Sequence, residues 1–113
     1  MPPSTIEFLR HILDECNYLL NESASATFPE NIYDERLSRA VCRSLEIIGE
    51  ASSKVHPDVK ATYPNVPWRD MADLRNRIIH QYFGVDLDII TDVIQHEIPA
   101  LKEEIEQILG NAI

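Results

Sequence analysis

A chain of 113 residues in which 44% of the side chains are hydrophobic can bury one core, so we expect a single domain over residues 1–113. The formal net charge of −9 argues against generic binding to nucleic acid, and no apolar run reaches the roughly 18 residues that a membrane span needs. Cys16 and Cys42 lack the spacing of a metal site or a disulfide framework, which favours two reduced, buried thiols in a cytoplasmic protein.

The first helix is predicted over residues 4–21. Ser4 is the expected N-cap, because Glu7 follows it three residues later in the capping-box pattern. Apolar residues then recur at spacings of three and four and predict one buried stripe, which consists of Ile6, Leu9, Leu13, Cys16 and Leu20. After a polar loop, a second helix is expected from residue 32 or 33 to about residue 55. Its predicted core stripe is Leu37, Val41, Leu45, Ile48 and Ser52.

A second stripe on the predicted second helix is charged. Its members are Arg36, Arg39, Arg43, Glu46 and Glu50, again spaced by three or four residues. We favour a solvated helix face with ion pairs along it. The alternative is an edge that follows nucleic-acid phosphates beside an active site. Residues 36–80 carry eight bases against five acids, a local charge of +3 between two acidic ends, so an anion site could only be built in this middle part.

A short helical turn is expected at residues 57–63, before a segment that two prolines interrupt. The next helix is predicted from residue 67 or 68 to about Tyr82, with Gly84 as its C-terminal stop. The last helix should open at Asp86 and kink or break just before Pro99. The predicted fold is therefore all-α, an antiparallel four-helix bundle with a short extra helical turn.

The densest group of chemically active side chains lies in the string LRNRIIHQYFGVD. Its members are Arg75, Asn76, Arg77, His80 and Tyr82. The simplest explanation is that a helical histidine is usually a surface residue and that cations are favoured at a helix C-terminus. On an ideal helix Asn76 and His80 are neighbours one turn apart, whereas Arg75 and His80 lie about 140° apart. Arg75 and His80 would then converge through the long arginine side chain or through a second copy of the helix across a two-fold axis.

The motif Arg75-x4-His80-x-Tyr82, with Asn76 directly after the arginine, resembles the R-x4-6-H motif of HEPN domains. In its R-x4-H-x-Y form it resembles the HepT-type toxins that are paired with minimal nucleotidyltransferase (MNT) antitoxins. The resemblance extends to the segments around the motif, at residues 45–51, 67–71, 83–86 and 98–102. It therefore covers nearly the whole chain and implies a HEPN-like helical domain.

The resemblance implies a metal-independent endoribonuclease that needs no cofactor. RNA carries its own nucleophile, the 2′-hydroxyl, so the enzyme must supply a base and positive charge for the phosphate oxygens. His80 is then the expected general acid or base, and Arg75 the expected phosphate ligand. Asn76 could orient His80 through a hydrogen bond. Arg77 could add to the field at the phosphate, although a surface salt bridge to Asp73 is the interpretation we favour.

We expect two protein partners. One is a second copy of the chain, in a homodimer whose two segments 75–82 face one cleft, because one helix cannot easily aim Arg75 and His80 at the same phosphate and a dimer would double the local positive charge. The other, implied by the resemblance, is a cognate MNT-type nucleotidyltransferase antitoxin, which would add adenylate to the hydroxyl of Tyr82. If Tyr82 only caps the core stripe of its helix, its hydroxyl should instead be buried and hydrogen-bonded.

Two other functions remain open from the sequence. The chain could be a non-catalytic HEPN module that binds a nucleotide or a protein partner. It could also be a structural helical dimer whose Arg75 and His80 hold the interface. Hydrolysis of RNA requires both side chains in register, whereas a binding module does not.

Overall fold

The computed structural model describes residues 1–80 and 84–112, and for Ile79, His80, Gly84, Val85 and Ala112 it describes the backbone alone. The helices of this part are α1 (Pro3–Ser23), α2 (Glu35–Lys54), α3 (Pro57–Thr62), α4 (Trp68–Ala72), α5 (Leu74–Ile78), α6 (Leu87–His96) and α7 (Ile98–Ala112). A 3₁₀ turn spans Glu30–Tyr33, and two short strands, β1 (Ile79–His80) and β2 (Gly84–Val85), pair between α5 and α6.

The helices form one bundle, so the all-α prediction is confirmed. α1 packs against α2 and α7, α2 also packs against α4 and α5, and α6 packs against α7. Their facing sides enclose one core, whose largest fully buried side chains are Leu9, Ile12, Leu19, Ile32, Leu45, Ile48, Leu74, Ile78, Ile90, Ile94, Ile98 and Ile105. Burying such side chains, at roughly 1.5–3 kcal/mol each, is the main term that stabilises the fold. Among the helices described, none combines the length and the apolar character that crossing a membrane requires.

α1 begins one residue earlier than predicted and buries a shifted stripe. It starts at Pro3, and Pro2 at the N-cap position makes no side-chain capping bond, so the predicted Ser4 cap is wrong. Proline suits the first helical position because its missing N–H would have no partner there. Leu9 and Cys16 are buried as predicted, and the remaining buried positions are Thr5, Ile12 and Leu19.

α2 begins at Glu35, two or three residues later than predicted, because residues 30–33 form the 3₁₀ turn, but its core stripe follows the prediction more closely. The carboxylate of Asp34 caps it by accepting from the Arg36 N–H at 3.4 Å. Of the predicted core stripe, Leu37 is half-buried and the other four members are fully buried, namely Val41, Leu45, Ile48 and Ser52. One face of α2 therefore lies against the core, and its charged stripe faces away from the core.

The helix predicted to end near Tyr82 is shorter and interrupted. Asp73, with φ of −96° and ψ of 6°, separates α4 from α5. α5 then ends at Ile78, and the N–H of Asp86 donates to the Ile78 carbonyl at 2.8 Å. That bond ties the start of α6 to the end of α5.

The residues after α5 form an antiparallel pair in place of helix. Ile79 lies opposite Val85, and His80 lies opposite Gly84. Gly84 is therefore part of β2 and not a helix stop, which corrects the predicted boundary. His80 lies on extended backbone, so the helical angles expected between His80 and Arg75 or Asn76 do not apply.

The predicted break in the last helix is confirmed. α6 is capped by Asp86, whose carboxylate accepts from the Ile89 N–H at 3.1 Å. It ends at His96, and α7 restarts at Ile98, directly before Pro99. Proline cannot continue a helix from upstream, because it lacks an N–H and its ring clashes with the preceding turn. Glu97 lies at the break, where its backbone is hydrogen-bonded to Val93 of α6 and Leu101 of α7 and its side chain projects towards α5.

The two cysteines differ in burial. Both are free thiols, but Cys16 is buried whereas Cys42 is only partly so, and the prediction of two buried thiols holds for Cys16 alone. Burial, followed by the charge of Glu15, raises the pKa of Cys16 to about 12.

Candidate active site

Arg75 lies on α5 with an exposed side chain. It lines a shallow depression of about 160 Å³, together with Glu46, Gly49, Glu50, Ser53 and Ala72. Within the part of the chain that the structure describes, no carboxylate is within 4.0 Å of its guanidinium. An exposed, unpaired guanidinium can bind a phosphate through two parallel N–H donors.

Gly49 allows α2 to lie close against α4 at this depression. A Cβ atom at position 49 would be 3.0 Å from the carbonyl oxygen of Met71 and 3.5 Å from that of Ala72. Because these atoms belong to the backbone, they could not move aside easily. The small residue therefore brings α2 near enough for Glu46 and Glu50 to share one depression with Arg75.

Asn76 has a different partner from the one expected. Its side-chain amide donates to the carboxylate of Asp73 at 2.6 Å. Asp73 lies at the break between α4 and α5, so this bond reinforces the first turn of α5. The expected bond to His80 involves a side chain outside the described part of the structure and stays a prediction.

Arg77 is held by Glu97 and not by Asp73, so the predicted salt bridge is wrong. Nη1 donates to Oε1 of Glu97 at 3.0 Å, and Nη2 donates to Oε2 at 2.9 Å. These hydrogen bonds are the largest cause of a lowered pKa at Glu97 and of a raised pKa at Arg77. The bidentate pair ties α5 to the α6–α7 break, which favours an anchoring role for Arg77 over a contact with phosphate.

The structure describes the two remaining motif residues, His80 and Tyr82, only in part. His80 is placed by its backbone in β1, five residues along the chain from Arg75. Tyr82 lies outside the described residues, so its exposure and its predicted modification stay predictions. The structure thus brings Arg75, Asn76 and Arg77 to one short helix that leads directly into the strand of His80.

Sequence reasoning gives Glu97 no role near the site, and it places Glu46 and Glu50 there only in the alternative of an edge beside an active site. Glu97 is 20 residues from Arg77, so no helical spacing could indicate their contact. Its position just before Pro99 was the only available signal, because it placed Glu97 at a helix break. Glu46 and Glu50 were recognised as part of the charged stripe, but their position beside Arg75 depends on how α2 packs on α4.

Other parts of the described structure offer weaker sites. No group of three or more His, Cys, Asp or Glu side chains in the described residues could hold a metal ion. A larger depression of about 360 Å³ near the start of α1 is lined by Met1, Pro2, His56, Asp58, Val59, Thr62 and Tyr63. The described lining of this depression contains none of the motif residues. Trp68 is buried and donates from Nε1 to the Tyr63 carbonyl at 3.0 Å, so it is a core residue.

Residues 9–108 match the protein family described as Ribonuclease HepT-like. The chain is 40% identical over 102 residues to "Putative RNase TTE0752" of Caldanaerobacter subterraneus subsp. tengcongensis, an alignment that covers 90% of this chain and 91% of that protein. It is 35% identical over 108 residues to "Probable ribonuclease HepT" of Thermococcus cleftensis, with 96% and 98% covered. No solved structure matches. The chain therefore belongs to the HepT-like ribonuclease family, as the residues around Arg75 indicate, and ribonuclease is its enzyme class.

Proposed function

We propose that this chain is a metal-independent endoribonuclease toxin in which Arg75 binds the scissile phosphate and His80 transfers the proton. The observation that carries the proposal is the exposed guanidinium of Arg75, which pairs with no carboxylate of the described residues and lies on the helix that leads directly into the strand of His80. The other arginine of α5, Arg77, is paired with Glu97. Arg75 is thus the arginine of α5 that is available to an anion.

Because a strand follows α5, Arg75 and His80 can reach a common target more easily than they could on one continuous helix. The path from Arg75 to His80 consists of three helical steps and two extended steps, roughly 11 Å in all. The side chains of arginine and histidine can together cover such a separation. Because the backbone of His80 is extended, the separation of about 140° that a helix imposes no longer opposes a common target.

The proposed reaction uses the 2′-hydroxyl of the RNA as nucleophile. His80 as base removes the proton, the 2′-oxygen forms a bond to phosphorus, and the bond from phosphorus to the 5′-oxygen breaks. The leaving 5′-oxygen takes up a proton, so the products are a 2′,3′-cyclic phosphate and a 5′-hydroxyl. Arg75 stabilises the charge that builds up on the non-bridging oxygens during this displacement.

The test is cleavage of mixed RNAs by the pure protein and by variants at the two motif positions. His80→Ala should lower kcat by about 10²–10⁴-fold, the usual contribution of acid–base catalysis, and Arg75→Ala should reduce cleavage comparably. Arg10→Ala removes an exposed arginine from α1 and is the matched control, which should cleave normally. Cleavage should persist in EDTA and leave cyclic phosphate ends. Normal cleavage by His80→Ala, or loss of cleavage on chelation, would contradict the proposal.

Control of the enzyme is proposed to run through Tyr82 and a nucleotidyltransferase antitoxin. Adenylate on the tyrosine hydroxyl would bring a negatively charged phosphodiester and a bulky base close to Arg75. Arg75 could then pair with that phosphate in place of the RNA backbone, so the modification would block the site by charge and by volume. A Tyr82→Phe variant should cleave RNA but escape neutralisation by the partner enzyme. If the partner enzyme still neutralises the Tyr82→Phe variant, the control does not run through Tyr82.

A further inference from the structure

The acidic end of the charged stripe on α2 lies beside Arg75. Glu46 and Glu50 line the same depression as the Arg75 side chain. Each carboxylate repels a phosphodiester and attracts a guanidinium. Glu50 is 63% exposed and Glu46 30% exposed, so Glu50 is not held in place by burial and Glu46 is only partly so. In that setting the two carboxylates compete with the RNA phosphate for the guanidinium of Arg75.

Arg43 engages both of these carboxylates. Its Nη1 lies 3.4 Å from Oε2 of Glu46 and 3.9 Å from Oε1 of Glu50. Both glutamates therefore point along α2 towards Arg43, while Arg75 is unpaired among the described residues. The guanidinium groups of Arg43 and Arg75 balance the charge of the two carboxylates. Arg43 forms every ion pair found among these four side chains.

We infer that Arg43 is a positioning residue, which holds Glu46 and Glu50 away from Arg75 and thereby keeps Arg75 free for the RNA phosphate. The inference rests on the proposed function, since it assigns a role through Arg75. Arg43 does not touch the substrate in this account. Without Arg43, the glutamates pair with Arg75 and leave uncompensated negative charge beside the incoming phosphodiester.

The test is a set of variants assayed on a short fluorogenic oligoribonucleotide. Arg43→Ala should raise KM about three- to tenfold at low ionic strength, the effect of one or two exposed ion pairs, while kcat changes little. In the triple variant Arg43→Ala/Glu46→Gln/Glu50→Gln the competing charges are gone, so KM should return to the wild-type value. The increase caused by Arg43→Ala should also shrink in about 1 M salt, where charges are screened within about 3 Å.

Arg39→Ala is the matched control. Arg39 lies on the same face one turn further from Arg75, is 79% exposed, and pairs with Glu35 at 2.6 Å. Its removal deletes the same charge from the same helix but leaves Glu46 and Glu50 paired, so KM should stay within about twofold of the wild type. Circular dichroism of every variant checks that the helices remain folded.

Three results would overturn the inference. If Arg39→Ala and Arg43→Ala raise KM equally, and KM does not return to the wild-type value in the triple variant, this face contacts RNA phosphates directly. A wild-type KM in Arg43→Ala would mean that the glutamates do not compete. A large loss of kcat in Glu50→Gln alone would make Glu50 a catalytic group.

Binding of the same RNA to variants in a His80→Ala background separates this inference from the proposed function. If Arg75→Ala leaves RNA affinity unchanged, the phosphate role of Arg75 fails, and the inference fails with it. If Arg75→Ala weakens binding but Arg43→Ala does not, the inference alone fails.

Discussion

Arg77 and Glu97 form the best-defined polar contact near the candidate active site, and their side chains are 34% and 40% exposed. Because both are partly solvated, we expect a coupling of about 0.5–1 kcal/mol in a double-mutant cycle of Arg77→Ala and Glu97→Ala at pH 7. The free energy of unfolding of each variant, from urea titration, measures it. The exposed pair Arg39 and Glu35 is the reference and should give a smaller coupling.

The same contact has a predictable dependence on pH. The pKa of Glu97 is lowered in the folded chain by the hydrogen bonds from Arg77. A carboxyl whose folded pKa lies below its unfolded pKa stabilises the fold above the unfolded value, and this contribution is lost as the pH falls through the folded value. The coupling measured at pH 7 should therefore decrease as the pH falls below the unfolded pKa of Glu97, and it should vanish once the folded carboxyl is protonated. A coupling that does not decrease on acidification would mean that the contact is not an ion pair.

At this scale the sequence indicates candidate site residues better than it indicates their partners. The motif assigns the phosphate to Arg75, and helical spacing offers only Asp73 as a partner for Arg77. The structure gives Arg77 a different partner, Glu97, and pairs no described carboxylate with Arg75. The contact between Arg77 and Glu97 depends on how α5 packs against the α6–α7 break. A local sequence pattern does not indicate this packing.

Among the elements, the contact of α2 with α4 is the one that depends most clearly on a single residue. Gly49→Ala places a Cβ atom 3.0 Å from the Met71 carbonyl oxygen. Overpacking typically costs about 1–3 kcal/mol and outweighs the roughly 1 kcal/mol that alanine gains in helix propensity. We expect a lower free energy of unfolding and weaker RNA cleavage, because α4 and the depression at Arg75 must shift.

Gly110→Ala is the matched control for this substitution. Gly110 also lies inside a helix, α7, but nothing within 4 Å would meet its Cβ atom. The same chemical change should therefore raise stability by up to about 1 kcal/mol and leave cleavage unchanged. Thermal unfolding of the two variants side by side measures the difference. If Gly49→Ala is also stabilising, the helices are less tightly packed than the backbone indicates.

Helix boundaries were predictable where one residue dictates them and not where strands compete with the helix. The break before Pro99 and the Asp86 cap follow from residue chemistry and are confirmed. The end of α5 at Ile78 depends on the pairing of residues 79–80 with residues 84–85. The apolar pattern there fits a helix equally well, so only the pairing of the two strands decides the outcome.

At the scale of the whole molecule, charge is the main obstacle to RNA binding. The chain carries a net charge of −9, and its bases are concentrated between two acidic ends. A polyanion is repelled by the molecule as a whole and attracted by the middle region alone, so affinity should fall steeply as salt rises. A two-fold dimer whose segments 75–82 face one cleft would double the local positive charge. The doubled charge favours a dimer even though His80 lies on extended backbone, where the helical angle to Arg75 does not apply.

The shared cleft can be tested by mixing two inactive variants. Arg75→Ala and His80→Ala chains, unfolded together and refolded at equal amounts, should give mixed dimers for about half of the population by random assortment. A mixed dimer still presents one intact Arg75 and one intact His80 to the same cleft, so up to about half of the wild-type cleavage should return. Arg75→Ala mixed with the double variant Arg75→Ala/His80→Ala is the control and should stay inactive. If mass spectrometry detects mixed dimers but no cleavage returns, each phosphate is served by one chain alone and the cleft is not shared.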